Sequence, residues 1–341
     1  MFKDFWGNPI VASALWKMIE TDRIPQTILL AGPEGVGKAT LVRRFAAQLL
    51  GEPEKIEHDD LSREENRTII ADREKWPSEK RSEDPLLFAS HPDFLTFPPD
   101  GPLRQISIQQ MRQAKERAQM RPLKGKWRVF LIDQMDRANL QAADSLLKTL
   151  EEPPSHMILF VTAENPYDLP STIRSRSVIF YLTPVAEEEM KAFAKAKQLK
   201  DAERRVSLAG GCPGLACSLD LAAYEKRRGV MLALIEAASG HTNFAAWAQK
   251  SESFLASKSE KLDFHFKALY SLLEDLAILH GGGTHIRNRD LRETLQKIAG
   301  RVTFDWLRQA VEQADLLVSL QRRNVQKGPS VDNYVVSLRG I

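Results

Sequence analysis

Short apolar runs alternate with amphipathic stretches through the first half of the chain. Thr27–Ala31, Phe94–Phe97, Arg128–Ile132, Met157–Thr162 and Val178–Leu182 are each rich in Val, Ile, Leu or Phe. Runs of that kind read as strands buried on both faces, as in a parallel sheet. Between them Ala39–Leu50, Ile108–Gln119 and Ala138–Glu151 carry the spacing of helices. This alternation predicts an α/β domain over residues 1–182, with a doubly wound parallel sheet.

The pattern changes twice. From Gly51 to Pro92 Glu, Asp, Lys and Arg dominate, with only scattered apolar residues such as Ile56, Ile69, Ile70 and Trp76. We expect there a charged insertion that is solvated and partly helical. After Pro184 the strand signal ends. Glu187–Gln198 and Asp201–Ala209 read as short helices stopped by Gly210-Gly211, which predicts a small helical lid domain over 183–223.

Beyond Tyr224 amphipathic helices predict an all-α domain over 224–341. One stripe runs Leu262, Phe266, Leu269, Leu273, Leu276 and His280 and stops at Gly281-Gly282-Gly283. Another begins after a plausible N-cap, Thr303, with Phe304, Leu307, Val311, Ala314 and Leu317 on one face.

Composition narrows the class. A chain of 341 residues with 43% hydrophobic and 27% charged residues fits an ordinary globular protein of two or three domains. A net charge of +3 does not by itself argue for nucleic acid, which is bound through a clustered basic face. Two cysteines, Cys212 and Cys217, cannot build a disulfide framework. The N-terminus lacks an apolar leader, and no apolar run reaches the roughly 18–20 residues of a membrane span. A cytoplasmic protein with no membrane partner is expected.

The chemistry begins at Gly32-Pro33-Glu34-Gly35-Val36-Gly37-Lys38, which fits G-x-x-x-x-G-K between a strand and a helix. Gly32, Gly35 and Gly37 allow the backbone to aim N–H groups at phosphate oxygens, and Lys38 would reach the β- and γ-phosphates. The pattern then asks for a Ser or Thr hydroxyl on Mg²⁺. Here Ala39 occupies that place and Thr40 comes one residue late, turned about 100° around the helix. Downstream, Val129–Ile132 runs into Asp133 in the form of a Walker B strand, and Asp133 would help hold Mg²⁺ through water. The next residue is Gln134, a neutral amide that can orient water but cannot take its proton. Both departures point to nucleotide binding without turnover, or to an empty site.

Ala142-Ala143-Asp144-Ser145-Leu146-Leu147-Lys148-Thr149-Leu150-Glu151-Glu152-Pro153-Pro154 resembles the A-x-N-A-L-L-K-x-L-E-E-P-P signature of bacterial clamp-loader AAA+ subunits. Leu169–Ser177 is similar to their L-P-x-T-I-x-S-R-C segment. His91-Pro92-Asp93 and Ile106–Arg112 match in type and order. The resemblance covers nearly all of residues 1–182, with Gly211–Ala216 and Asn324–Leu338 as looser matches. It implies a P-loop AAA+ domain, a helical lid and a helical collar that joins subunits.

Within that family the defects resemble the delta-prime branch. Hydrolysing gamma/tau subunits keep the hydroxyl, the acidic base and a lid arginine, and Gly211-Cys212-Pro213-Gly214-Leu215-Ala216 has no arginine. The chain also ends without a tau-like extension. Relatives often carry a four-cysteine zinc module, but 51–92 contains no cysteine, so no metal site is expected there. By resemblance Arg176 is an arginine finger acting in trans on a neighbour's γ-phosphate, with Arg174 a weaker candidate and Ser177 in place of the usual cysteine. Such fingers are worth about 10³–10⁵ in rate in GTPases. The implied partners are the gamma/tau motor and delta subunits, the sliding clamp and primed DNA, with no cofactor required, no zinc, and ATP or ADP either held without turnover or absent. The alternative is a hydrolysing gamma/tau-like ATPase.

Overall fold

The computed structural model describes residues 2–245, 247–249, 251, 262–321 and 327–339. The side chains of Lys148 and Leu262, and residues 324–326 of the C-terminal match, lie outside the described residues. The chain divides into two compact units, Met1–Leu199 with Gly211–Ser218, and Lys200–Gly210 with Leu219–Ile341.

The first unit is built on six strands, β1 (Thr27–Ala31), β2 (Phe88–His91), β3 (Phe94–Phe97), β4 (Arg128–Ile132), β5 (Met157–Ala163) and β6 (Val178–Tyr181). Their order is β2-β3-β4-β5-β1-β6. Every pairing is parallel except that of β2 with β3. The strand pleat sends alternate residues to opposite faces, and the core divides accordingly. Leu29, Leu95, Phe97, Phe130, Ile132, Leu159 and Val161 pack in one cluster with Met111 and Leu146. Ile28, Leu30, Phe94, Val129, Leu131, Ile158 and Phe160 pack in the other with Leu15, Leu41 and Phe45. The first cluster is covered by α6 (Ile108–Ala118) and α7 (Leu140–Glu151), the second by α1 (Pro9–Glu20) and α2 (Lys38–Leu50). Both faces are closed by helices, so the sheet is doubly wound.

Between α2 and β2 the charged segment folds as α3 (Pro53–His58), α4 (Glu64–Arg73) and α5 (Ser78–Glu83). It is helical as expected, but it is more than a solvated insertion. Ile56 is fully buried, Ile70, Leu86 and Phe88 form a small core, and its last residues supply the antiparallel edge strand β2. Arg73, 5% exposed, donates to Asp100 at 2.8 Å and lies against the Trp76 ring at 4.5 Å. A buried guanidinium needs such a partner, which explains charge inside this segment.

Two family motifs turn out to be structural fasteners. His91 Nδ1 accepts from the Asp93 N–H at 3.1 Å, and the Asp93 carboxylate accepts from Leu123 N at 2.9 Å and Lys124 N at 2.7 Å. Ser107 and Gln110 form a capping box on α6, while the Gln110 amide donates to the carbonyls of Leu86 and Pro98. After β6 follow α9 (Glu187–Ala196) and α11 (Pro213–Ser218), with α8 (Ser171–Arg174) before β6 and α10 (Ala202–Ala209) in the second unit.

The second unit is helical throughout its described part, including α12 (Leu221–Ala238) and helices Leu262–His280, Arg292–Ala299, Phe304–Gln321 and Lys327–Arg339. Phe266, Leu269, Leu273 and Leu276 are buried as their stripe predicts, whereas His280 at its end is exposed. Thr303 Oγ1 accepts from Trp306 N at 3.1 Å and so caps the next helix. The stripe there is rotated from the expected one. Trp306, Leu307, Ala310, Ala314 and Leu317 are buried, whereas Phe304 is 70% and Val311 39% exposed. Within this unit α10 is tied down by Arg204 and by Ser207, whose hydroxyl donates to Arg287 O at 2.8 Å. Among the described residues no helix is long and apolar enough to cross a membrane.

Candidate functional site

The glycine loop occupies the turn from the C-terminal end of β1 into α2. Gly32 (φ +147°) and Gly35 (φ +76°) hold conformations that side chains rarely adopt. A Cβ on Gly32 would stand 2.2 Å from Leu182 O, and one on Gly35 would stand 2.7 Å from Leu215. Gly37 begins α2, its carbonyl accepting from Leu41 N at 2.9 Å.

Lys38 is 8% exposed and folds onto its own loop, donating to Gly32 O at 2.6 Å and Pro33 O at 2.9 Å. Burial pushes its pKa below the ordinary lysine value, against the opposing pull of Asp133, Glu164, Asp136 and Glu34. Ala39 offers no oxygen, and Thr40 Oγ1 lies 3.5 Å from Arg43 Nη2 on another side of α2.

Asp133 is buried at the end of β4, where it accepts from the Thr162 hydroxyl at 2.6 Å. That same hydroxyl accepts from the Gln134 N–H at 2.8 Å, and Gln134 has a left-handed backbone, φ 56°. Thr162 therefore fixes both residues at the mouth of the site, a role the sequence reading missed. Its signal was a lone hydroxyl in an otherwise apolar strand. Asp136 was missed as well. It sits near Lys38, and burial pushes its carboxyl above the usual range.

The loop is also covered from outside. Gly214 N donates to Gly35 O at 2.7 Å, and Leu215 packs with the core cluster beneath α2. Thus Gly32, Gly35, Gly37, Lys38, Ala39 and Asp133 come together, joined by Gln134, Thr162 and the turn at Pro213–Leu215, whereas the Thr40 hydroxyl faces Arg43 instead.

Arg176 does not join them. The pairs Ile28↔Val178 and Ala31↔Tyr181 put the residues before β6 at the N-terminal end of β1. The loop at Gly32 leaves the opposite end, with on the order of 10 Å of strand between. Arg176 is 36% exposed there, donating to Thr172 O at 3.1 Å and to Glu151 Oε1 at 3.0 Å. Arg174 lies over the Tyr167 ring at 4.8 Å, and Ser177 donates back to Ile173 O at 2.8 Å. Among the described residues no group of three or more His, Cys, Asp or Glu is placed to hold a metal ion.

A doubly wound sheet with a glycine loop after β1 and an aspartate closing β4 defines a P-loop AAA+ module. A family model described as DNA polymerase III, delta subunit, matches residues 7–186, more than half of the chain, and the chain belongs to that clamp-loader family. Over 201 residues it is 30% identical to the DNA polymerase III subunit gamma of Buchnera aphidicola subsp. Acyrthosiphon pisum, covering 59% of this chain and 50% of that one. It is 29% identical over 189 residues to the subunit delta' of Pseudomonas aeruginosa, covering 54% and 52%. The chain therefore spans about half the length of these relatives. A solved gamma-subunit-related protein from Thermotoga maritima aligns over 96% of this chain and 98% of its own at 18% identity, TM-score 0.45.

Proposed function

We propose that this chain is a delta'-type clamp-loader subunit. In this reading it does not hydrolyse ATP, scaffolds the complex through its helical C-terminal part, and lends Arg176 to the ATP site of an adjacent motor subunit. Its partners would be the gamma/tau and delta subunits, the sliding clamp and primed DNA. The observation that carries the reading is the position of Arg176, exposed and a strand's length from its own phosphate loop. An arginine so placed can neutralise phosphoryl charge only in another subunit. The chain's own loop lacks the metal-ligating hydroxyl at Ala39 and the acidic base at Gln134, and its lysine is engaged by loop carbonyls.

A second reading, a hydrolysing gamma/tau-like ATPase, is favoured by the intact G-x-x-x-x-G-K and by the gamma relative at 30% identity. Reconstitution with motor and delta subunits separates the two. Arg176→Ala should lower ATP turnover at the site it serves by about 10³-fold, the lower bound for arginine fingers. Brisk phosphate release by the isolated chain, abolished in Lys38→Ala, would establish the motor instead.

A further inference from the structure

We propose that Glu151 is the positioning residue for Arg176, an inference that rests on the arginine-finger reading above. The two side chains come from different elements, Glu151 from the last turn of α7 and Arg176 from the turn after α8. Glu151 Oε1 accepts from Arg176 Nη2 at 3.0 Å, while Thr172 O accepts from Nη1 at 3.1 Å. The guanidinium is thereby held from two sides.

Geometry makes this a hold rather than a block. A guanidinium has five N–H donors in one plane, and these contacts use two. The donors that remain suffice for a bidentate grip on a phosphate oxygen pair. Without the carboxylate, only the Thr172 carbonyl would hold this exposed side chain, and a neighbour's site would have to complete its ordering at each encounter.

The local electrostatics speak against a stabilising purpose. Glu151 closes α7, where the helix's carbonyl end disfavours a negative charge. It is followed by a second carboxylate, Glu152. A residue selected for helix stability there would be neutral or basic. Glu151 is half exposed, so its pairing with Arg176 adds little to folding. What the pair does supply is direction. Gln26, at the foot of β1, donates to the carbonyls of Pro153 and Pro154 at 3.3 Å, which anchors the turn after Glu151 to the sheet. The carboxylate thus has a fixed base.

The test uses the reconstituted complex, with the turnover lost in Arg176→Ala defining the served site. Glu151→Gln keeps an acceptor oxygen but loses the charge, and Glu151→Ala loses both. We expect kcat at the served site to fall about twofold in the first and up to about tenfold in the second, the range that immobilising one side chain supplies. KM for ATP should stay unchanged, and Glu151→Ala should add nothing in an Arg176→Ala background. Both variants should melt as the parent does. If Arg176→Ala is impaired while Glu151→Ala turns over normally, or if the two losses multiply, the positioning role is wrong and the finger stands. If Arg176→Ala itself is silent, the finger reading fails and takes this inference with it.

Discussion

The backbone N–H of Gly214 donates to the carbonyl oxygen of Gly35 at 2.7 Å, so the turn at Pro213–Leu215 is fastened to the phosphate loop. Here the backbone itself lies against the loop, close enough that a Cβ on Gly214 would stand 2.9 Å from Gly35 O. From inside, Lys38 closes the same loop onto the carbonyls of Gly32 and Pro33. The loop is held by its own chain on both sides.

This closeness has a thermodynamic signature. Gly214→Ala pushes a methyl group against backbone atoms that cannot swing away, and we expect it to destabilise the protein by about 1–3 kcal/mol. Gly229, inside α12, has nothing within 4 Å of the equivalent position. Gly229→Ala should instead stabilise by about 0.4–1 kcal/mol, because alanine loses less backbone entropy on folding. Urea unfolding of the two variants beside the parent measures both. Equal effects would mean that the contact between Gly214 and Gly35 is not tight.

The isolated chain should release no phosphate from ATP, and Gln134→Glu alone should not change that. Restoring an acidic base leaves Ala39 without a hydroxyl for Mg²⁺, and the Gln134 backbone is already pinned by Thr162. Ala39→Ser with Gln134→Glu is the smallest change that returns both missing groups. Turnover by Gln134→Glu in a coupled-enzyme assay with magnesium present would show that the hydroxyl missing at Ala39 is dispensable.

Much of the first unit could be read from the chain because its strands are buried on both faces and stand out as unbroken apolar runs. Thr27–Ala31, Phe94–Phe97 and Arg128–Ile132 coincide with β1, β3 and β4 to the residue. Strand β2 escaped because Phe88–His91 buries only its two end residues and sits on the sheet edge after a run of charges. Helix α1 was not expected either. Of the site, the glycine loop and Asp133 were legible since their residue types are demanded by local backbone and charge. The cover from Gly214, the tie from Thr162 and the partner of Arg176 come from residues far away in sequence, and no local pattern announces them. The stripe at Phe304 and Val311 was misplaced because Trp306 and Ala310, not the more regularly spaced pair, face the core.

His91 gives a pH-dependent contribution of known sign. It is fully buried, and burial pushes its pKa below the ordinary value, against the pull of Glu52 and Asp93 and with Lys124 and Lys55 adding to the depression. Its Nδ1 must stay unprotonated to accept from Asp93 N. As pH falls through the ordinary value near 6.5, the unfolded chain therefore takes up a proton before the folded one. The stability held above that pH declines until the folded pKa is reached. In His91→Asn, whose amide oxygen can replace Nδ1 as acceptor, stability at pH 7.5 should drop with the lost volume, but the further decline toward pH 5 should be shallower. Parallel curves for parent and variant would show that His91 does not titrate on unfolding.

Asp290 works with the opposite chemistry in the helical unit. Burial alone would raise its carboxyl, but hydrogen bonds from Arg228 and Arg204 hold it down at about 2. Arg228 reaches it at 2.8 Å with a side chain only 9% exposed, so removing the carboxylate leaves a sheltered cation short of its partner. Since the folded pKa lies below the ordinary aspartate value, the stabilisation is complete above about 3.9 and disappears as pH falls through the folded value. Asp290 is itself 44% exposed, and water screens the pair. We therefore expect Asp290→Asn to cost about 1 kcal/mol at pH 7, with the gap between variant and parent closing as pH is lowered from 4 toward 2. Chemical denaturation at pH 7 and pH 3 distinguishes this from a purely steric role, which would give the same loss at both. A constant gap would mean that Arg228 and Arg204 are satisfied without the charge on Asp290.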